Sequence, residues 1–409
     1  MPYRRLLSAA NRPPEPRLVL DIALALLIAL LTTAASLALG TRIAPILYQE
    51  VDLYFGADIN RVYDYMTGGE RFAQFRSTVH PVFTFLFFPP TRSFMGLGAA
   101  PEQAAQIIVA LGAGTTAAIL YAIGRLTGLH RADAALLCAL FLGSAGFIFW
   151  WTVPETFSFG GMSVALAFMV TLLPAASLLV WVLTGALALS ITTTNWAAPL
   201  LGSLLRLDRR QVIRAAAIAF GIVIVLSVWQ RAYLPTARFF FLPGAFAEEL
   251  VFVPLVSETA WPVGLVERLG SFWLAPWMVP RTILTETEGI RPVNFSYPVL
   301  GWLALAGIAA VLVSAAEALR RRPDLRPLAL VPALFLGFQF ALHMVYGDEP
   351  FLYAAHFMPA LLCLAAFGFL GRLAWLCRIG AGGFVLLGGA GNLTTFLAVQ
   401  ESLRTLPLP

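Results

Sequence analysis

Long apolar runs separated by short polar segments dominate the pattern of the chain. A run of about twenty apolar residues is long enough for a helix to cross a bilayer. Runs near that length predict about eleven membrane helices, so we expect an all-α, polytopic membrane protein. The predicted helices cover residues 18–39, 104–124, 132–150, 156–172, 176–194, 196–206, 213–232, 297–318, 327–345, 353–371 and 379–398.

Two long polar stretches, 40–103 and 233–296, interrupt these runs. Within the first, segment 80–90 (HPVFTFLFFPP) is apolar but has only about ten apolar residues, too few for a span. Its double proline is expected to end the helix, so we predict an interfacial or half-inserted helix. In the second stretch, 271–280 (SFWLAPWMVP) is typical of a helix that lies on the membrane.

The charges agree with a membrane protein and indicate its orientation. Of 409 residues, 59% are hydrophobic and 12% charged, and the mean hydropathy is +0.80. These values exclude a soluble globule, a disordered chain and a fibrous repeat. All 27 basic residues are arginine. If 80–90 does not span, the arginines of the connecting loops lie with the N-terminus. The positive-inside rule then makes that side cytoplasmic and both long stretches external.

The chain divides into two membrane modules. Residues 1–17 carry several arginines and are predicted to be cytoplasmic, and the run after them is too long for a signal peptide. Residues 18–215 form a first module with external loop 40–103, and residues 216–409 form a second with external loop 233–296. The three cysteines fit neither a disulfide framework nor a metal site.

The first external loop holds one of the densest sets of ionisable residues. Its candidates for chemistry are Asp52, Asp58, Arg61, Arg76 and His80. A carboxylate held at an apolar interface has a raised proton affinity and can act as a general base. Asp58 and Arg61 are three residues apart, so on a helix they would share a face. The alternative for any single residue is a solvated loop position.

Two polar positions lie where helices emerge on the external side. Glu155 follows Pro154 and precedes a new helix, so it is either a second active-site carboxylate or a helix cap. Asn195 ends another outward helix in the sequence TTTNWAA. It lines a cavity or belongs to an interfacial turn with an aromatic anchor.

The second module adds three further candidates for substrate binding. His356 lies about two turns into a membrane helix, where an ionisable residue marks a functional site by default. A histidine at a helix interface is the alternative, and His343 is expected as its neighbour from its similar depth. Glu349 precedes that helix, and Arg238 lies in a loop that would cover a cavity.

Several motifs of soluble chemistry are missing from the sequence. There is no phosphate-binding loop, dinucleotide fingerprint, zinc-protease motif or nucleophile elbow. ATP-driven transport and zinc hydrolysis are therefore unsupported. No basic and aromatic pattern indicates nucleic acid as a partner.

The order of these segments resembles the GT-C superfamily of membrane glycosyltransferases. A first helix is followed by an aspartate-bearing external loop and a segment that begins His80–Pro81. An alanine-rich helix then ends in the basic turn YAIGRLTGLHRAD, and the next helix emerges at VPETFS. The resemblance covers about residues 18–215. Protein mannosyltransferases, aminoarabinose transferases of lipid A and oligosaccharyltransferase subunits belong to this superfamily.

The resemblance implies a reaction and roles for five residues. A polyprenyl-phosphate-linked sugar and membrane lipid would be the partners, and the acceptor and the oligomeric state stay open. Asp58 would be the catalytic base, with Asp52 as second choice, and Glu155 would match the second external acid. His80 or Arg76 would meet the donor phosphate. The reaction would invert the anomeric carbon at the external face of the plasma (inner) membrane. No cofactor is certain, although a divalent metal could bridge Asp58 and Glu155.

Two other classes of protein are alternatives. An O-antigen ligase or polymerase also uses lipid-linked sugars, but usually carries its arginine- and histidine-rich loop late in the chain. A membrane transporter or lipid flippase would favour inverted repeats and charges near the middle of the bilayer. The sequence shows no repeat, and most charges lie at the predicted external rim.

Overall fold

The computed structural model describes residues 18–50, 52–68, 74–249, 252–253, 261–285, 289–347 and 349–406. The predicted cytoplasmic segment 1–17 lies outside them. Helices and one hairpin make up the regular structure of this part of the chain. They are α1 (Leu18–Gly40), α2 (Ile59–Thr67), α3 (Phe83–Gly96), α4 (Pro101–Thr127), α5 (Arg131–Gly143), α6 (Ala145–Trp150), α7 (Thr156–Leu172), α8 (Leu178–Ile191), α9 (Ala197–Arg206), α10 (Arg209–Tyr233), α11 (Pro243–Glu249), α12 (Trp261–Trp273), β1 (Arg281–Thr285), β2 (Gly289–Val293), α13 (Val299–Arg321), α14 (Arg326–Val345), α15 (Ala354–Ala366) and α16 (Ala374–Arg404).

The protein is an all-α polytopic membrane protein. Seven helical segments in the described residues are long and apolar enough to cross a membrane. They contain α1, α4, α10, α13, α14, α15 and α16. The four remaining predicted spans correspond to shorter helices. The predicted span 132–150 is divided at Ser144, which caps α6 through its hydroxyl, and α7, α8 and α9 have 17, 14 and 10 residues.

An antiparallel pair of helices, α1 and α4, anchors the first module. Asp21 near the start of α1 accepts hydrogen bonds from Arg125 at the end of α4 and from Arg131, with N–O distances of 3.1 and 2.8 Å. At the opposite end, Gly40 of α1 lies against the side chain of Gln106 of α4. Residues 41–100, which connect α1 to α4, therefore begin and end at the end of the pair that is opposite to the Asp21 ion pairs.

Helix α3 corrects one expectation about segment 80–90. The double proline does not end the helix, which continues through Pro89 to Gly96. The proline ring fixes φ near its helical value, so Pro89 and Pro90 weaken the helix through their missing N–H groups and through crowding of the preceding turn, but do not end it. Thr91 Oγ1 also donates back to the Phe87 carbonyl at 2.7 Å. At 14 residues and about 21 Å, α3 is still shorter than a bilayer core.

The expectation of a surface helix at 271–280 is wrong. Helix α12 ends at Trp273, and the chain then turns inward, so that Phe272 and Trp277 are fully buried. The Trp277 carbonyl accepts hydrogen bonds from the backbone N–H of Ala145 at 2.9 Å and from Asn392 Nδ2 at 2.8 Å. Except for the exposed Trp273, most of the apolar side chains that indicated a lipid contact are packed inside the protein, where these two donors satisfy the Trp277 carbonyl.

A hairpin ties the second long polar stretch to the first. Strands β1 and β2 pair antiparallel, with Ile283 opposite Arg291. Ile290 donates its N–H to the Leu53 carbonyl at 2.8 Å and accepts from the Phe55 N–H at 3.1 Å. The second stretch therefore covers the segment that leads into α2.

Close packing of α1 on α4 makes a glycine of α4 sensitive to substitution. A Cβ added at Gly114 would lie 2.6 Å from the Ala29 carbonyl oxygen of α1, so the helices must separate. We expect Gly114→Ala to lower the free energy of unfolding by about 1–3 kcal/mol, measured by thermal unfolding in detergent. Gly221→Ala is the matched control, since a Cβ there meets no described atom within 4 Å. Equal melting temperatures for the two variants would contradict this packing.

Candidate functional site

A buried arginine and two acids form the centre of the candidate site. Asp58 is the N-cap residue of α2, and Arg61 follows one turn later and pairs with its carboxylate. The expectation that the two share a helix face is therefore confirmed. Arg61 is only 3% exposed, and its Nε and Nη1 atoms have no hydrogen-bond partner among the described residues. Burial lowers the pKa of Arg61, but the charge and hydrogen bond of Asp58, together with Tyr65 and Glu155, raise that pKa above its ordinary value overall.

Glu155 supplies the second acid from the start of α7. It is 1% exposed, and its Oε1 accepts hydrogen bonds from the Thr156 N–H at 2.8 Å and the Thr156 hydroxyl at 3.0 Å. The capping interpretation is therefore confirmed. Its Oε2, however, has no partner among the described residues. Burial and the negative charge of Asp58 raise the pKa of Glu155 to about 7, although Arg61 opposes them.

Asp52 adds a third acid to this group. Its backbone has a positive φ of 62°, a conformation that bulky side chains rarely adopt and that aspartate tolerates. Burial and the charge of Asp58 raise the pKa of Asp52, while Arg291 and Arg61 lower it. The group is therefore Asp52, Asp58 and Glu155 around Arg61, and we call it the acid–arginine group.

His80 connects the acid–arginine group to a cavity. Its Nδ1 lies 2.9 Å from the Ile191 carbonyl oxygen, and its Nε2 lies 3.4 Å from the Thr156 hydroxyl. That hydroxyl is the one bound to Glu155. Burial and the positive charges of Arg76 and Arg61 hold the pKa of His80 well below its usual range. His80 is therefore a neutral ring between the two parts of the site.

The cavity beyond His80 has a volume of about 370 Å³, and we call it the histidine cavity. Its wall is mainly apolar, and its ionisable and phenolic side chains come from both modules. Those lining residues are Arg76, His80, Glu249, His343, Tyr346, Tyr353 and His356. His343 and His356 line the same cavity, as their similar depth predicted.

Arg76 is held at the wall of this cavity by an acid and a phenol. Its Nη1 lies 3.1 and 2.9 Å from the two carboxylate oxygens of Glu249. The Tyr346 hydroxyl donates to Glu249 Oε2 at 2.6 Å, and the Arg76 guanidinium lies 4.8 Å from the centre of the Phe252 ring. The arrangement is a charge-assisted network that positions a cation beside an apolar space.

His356 and Asn195 offer polar atoms that this part of the chain leaves without partners. His356 is 2% exposed, and neither ring nitrogen has a hydrogen-bond partner among the described residues. Asn195 Nδ2 is unpartnered in the same sense. A Cβ added at Gly160 would lie 2.5 Å from Asn195 Nδ2 and 2.9 Å from His356 Nε2, so glycine leaves room for both. Buried, unpaired polar atoms beside a cavity are suited to binding a polar ligand.

Some predicted site residues lie elsewhere. The Arg238 side chain is exposed, and its backbone N–H and carbonyl bond to the Ser77 hydroxyl at 2.6 and 2.9 Å. Glu349 is half-buried; its carboxylate accepts hydrogen bonds from the Ser271 hydroxyl and from the Phe351 N–H, the latter at 3.2 Å, and so caps a turn. Neither residue lines the histidine cavity, and neither do Asp58 and Glu155, which lie beyond His80.

Sequence reasoning did not select Glu249, Tyr346 or Tyr353. Glu249 is one of several acids in the second long stretch, and its partner Arg76 is 173 residues away. The sequence did contain a pattern that could have found the two tyrosines. They flank the connection YGDEPFLY between two membrane helices, so both phenols are expected at a similar depth in the membrane. Tyr353 stacks on His343, with ring centres 4.2 Å apart.

A metal ion does not fit the acids of this site. Within the described ranges, no group of three or more His, Cys, Asp or Glu side chains is arranged to hold one. The sequence left open a metal ion that bridges Asp58 and Glu155, but the Asp58 carboxylate is already paired with Arg61.

No family model matches the chain, and no curated protein sequence matches it either.

The raised pKa of Glu155 predicts a pH-dependent stability. The pKa of about 7 in the folded protein exceeds the ordinary value of 4.5, so folding favours the protonated acid. This stability is fully present below pH 4.5 and is lost as the pH rises through about 7, a loss of about 3 kcal/mol. We expect Glu155→Gln to remove this loss, measured as melting temperature against pH. Glu401→Gln, at an exposed acid, is the control and keeps the wild-type slope. Parallel profiles for wild type and Glu155→Gln would refute this assignment.

Proposed function

We propose that the protein is a membrane glycosyltransferase of the GT-C type. It transfers a sugar from a polyprenyl-phosphate-linked donor to an extracytoplasmic acceptor, with Asp58 as general base. One observation supports this above the others. The acid–arginine group joins, through Thr156 and His80, a largely apolar cavity that carries the cation of Arg76. The acids that could accept a proton thus lie on one side of His80, and Arg76, which could bind an anion, lies on the other.

The histidine cavity suits the phosphate and the first lipid units of the donor. The apolar wall would hold the prenyl chain, and Arg76 would meet the phosphate through charge-assisted hydrogen bonds. Glu249 and Tyr346 position the guanidinium before the donor binds. The unpaired nitrogens of His356 add polar partners deeper in the cavity.

The chemistry exchanges one bond at the anomeric carbon. Asp58 takes the proton from an acceptor hydroxyl, whose oxygen then bonds to the anomeric carbon. The bond from that carbon to the phosphate oxygen breaks, and the lipid phosphate leaves with the electron pair, stabilised by Arg76. Attack from the face opposite to the phosphate inverts the carbon.

Arg61 and Glu155 position the base in this scheme. Arg61 forms an ion pair with Asp58 and so holds the carboxylate in place at the start of α2. Glu155, with its pKa near 7, lies within the electrostatic reach of both. Its charge balances that of Arg61 when Asp58 becomes neutral during the reaction.

The orientation that we propose follows the arginines. The N-terminus is cytoplasmic, the protein lies in the plasma (inner) membrane, and the acid–arginine group faces the exterior. The Asp21 ion pairs with Arg125 and Arg131 mark the cytoplasmic end of α1 and α4. The acid–arginine group follows from the opposite end of that pair, which supports this placement.

Loss of the base gives the main test of this function. We expect Asp58→Asn to lower transfer from radiolabelled polyprenyl-phosphate sugars about 10²–10⁴-fold, the usual contribution of a positioned base. The assay uses membrane vesicles with matched amounts of protein. Glu401→Gln is the matched control, because Glu401 also pairs with an arginine three residues later but is exposed. Wild-type rates in Asp58→Asn, or no transfer by the unaltered protein from any such donor, would refute the proposal.

The orientation has its own test. A reporter fused near Asp208, in the short connection between α9 and α10, should report the cytoplasm. A second reporter fused near Gly264 in α12 should report the exterior. An exterior signal at Asp208 would mean that the protein is inserted the other way round and that the acid–arginine group faces the cytoplasm.

A further inference from the structure

The largest cavity described in the structure is separate from the histidine cavity. It has a volume of about 1050 Å³ and lies where α1 ends and α4 begins, and we call it the α1–α4 cavity. Its polar lining includes Tyr48, Glu50, Tyr63, Glu102 and Gln106. This cavity adjoins α2, the helix that carries Arg61.

The lining of the α1–α4 cavity selects against anions. Its described lining residues include two glutamates, three glutamines and two tyrosines, but no arginine or histidine. A phosphate or carboxylate ligand would find no cation there, and the two glutamates would repel it. Amides, phenols and carboxylates together accept and donate hydrogen bonds as sugar hydroxyls or an ammonium group require.

Gln106 provides a polar atom that is ready for a ligand. The residue is 6% exposed, and its Nε2 donates to the Tyr48 hydroxyl at 2.7 Å. Its Oε1 has no partner among the described residues. Turning the amide over only exchanges which atom is left, because one end always meets Tyr48. A buried polar atom without a partner is costly, so a ligand hydroxyl or amine that satisfies it gains affinity.

The α1–α4 cavity is joined to the base through α2. Asn60, two residues after Asp58, donates from Nδ2 to the carbonyl of the lining residue Gln49 at 3.3 Å. One turn further, the Tyr63 hydroxyl donates to Glu102 Oε1 at 3.0 Å across the cavity wall. Helix α2 thus carries residues of both places: Tyr63 lines the cavity, and Asp58 and Arg61 belong to the acid–arginine group.

We propose that the α1–α4 cavity binds the acceptor through a hydroxyl-rich sugar that is either neutral or carries an amino group. The term acceptor rests on the proposed function. The binding chemistry does not, because it follows from the lining and from Gln106. The acceptor would then bind beside α2, the helix that Asp58 begins.

Sugar binding to the full chain in lipid nanodiscs tests this inference. Glucosamine is the probe, glucuronate is its anionic counterpart, and saturation-transfer NMR measures the bound fraction. We expect saturable binding of glucosamine and none of glucuronate. Gln106→Leu should weaken glucosamine binding about tenfold or more, since it leaves the ligand's polar group unpaired.

A second variant keeps the inference testable if Gln106→Leu does not fold. A Cβ at Gly40 would overlap Gln106 Oε1, so Gly40→Ala displaces the amide but keeps every polar group. It should also weaken glucosamine binding. Gly382→Ala is the control, since its Cβ meets no described atom within 4 Å, and it should bind as the wild type does.

The outcomes separate this inference from the proposed function. No saturable glucosamine binding, equal binding of glucuronate, or wild-type affinity in both Gln106→Leu and Gly40→Ala overturns the α1–α4 site. Asp58→Asn should bind glucosamine normally although it cannot transfer a sugar. Sugar binding without any transfer activity would therefore refute the glycosyltransferase and leave the site standing, and transfer without sugar binding would do the reverse.

Discussion

The burial of one guanidinium, that of Arg61, governs the arrangement of the site. Removing a charge from water costs several kcal/mol unless partners compensate for it. Among the described residues, the guanidinium pairs with Asp58 and lies 5.4 Å from the centre of the Tyr65 ring, and the charge of Glu155 also stabilises it. Each acid in turn has a position fixed by the fold: Asp58 begins α2 and Glu155 begins α7. The residues that begin α2 and α7 therefore both interact with the Arg61 guanidinium, which also opposes the protonation of Glu155.

The membrane explains why the rest of the first module supports this group. The α1–α4 pair carries its ion pairs at one end and the polar stretch at the other, so charges are kept out of the apolar middle. The hairpin β1–β2 closes over the segment before α2 through Ile290. Residues of the second module, above all His343, Tyr353 and His356, complete the histidine cavity. Neither module alone would form the site that we describe.

Local spacing predicted much of this arrangement, and long-range packing accounts for what it missed. The i,i+3 spacing predicted the pair of Asp58 and Arg61, and the position after Pro154 predicted the cap at Glu155. The contact of Arg76 with Glu249 joins residues 173 apart, and no local pattern distinguishes that acid from its neighbours. The prediction for segment 271–280 was wrong for another reason. The pattern of apolar residues is the same whether lipid or protein covers them.

Helix α8 has a consequence for the bilayer itself. Its 14 residues span about 21 Å, against a hydrocarbon core of about 30 Å, and its outward residues Leu179 and Leu183 are exposed. A bilayer accommodates an apolar helix that is shorter than its core by thinning locally. Helix α8 ends at Ile191, next to the threonines that line the histidine cavity. If the proposed function holds, such thinning would bring the headgroup layer closer to the histidine cavity and shorten the path of a lipid-borne group through hydrocarbon.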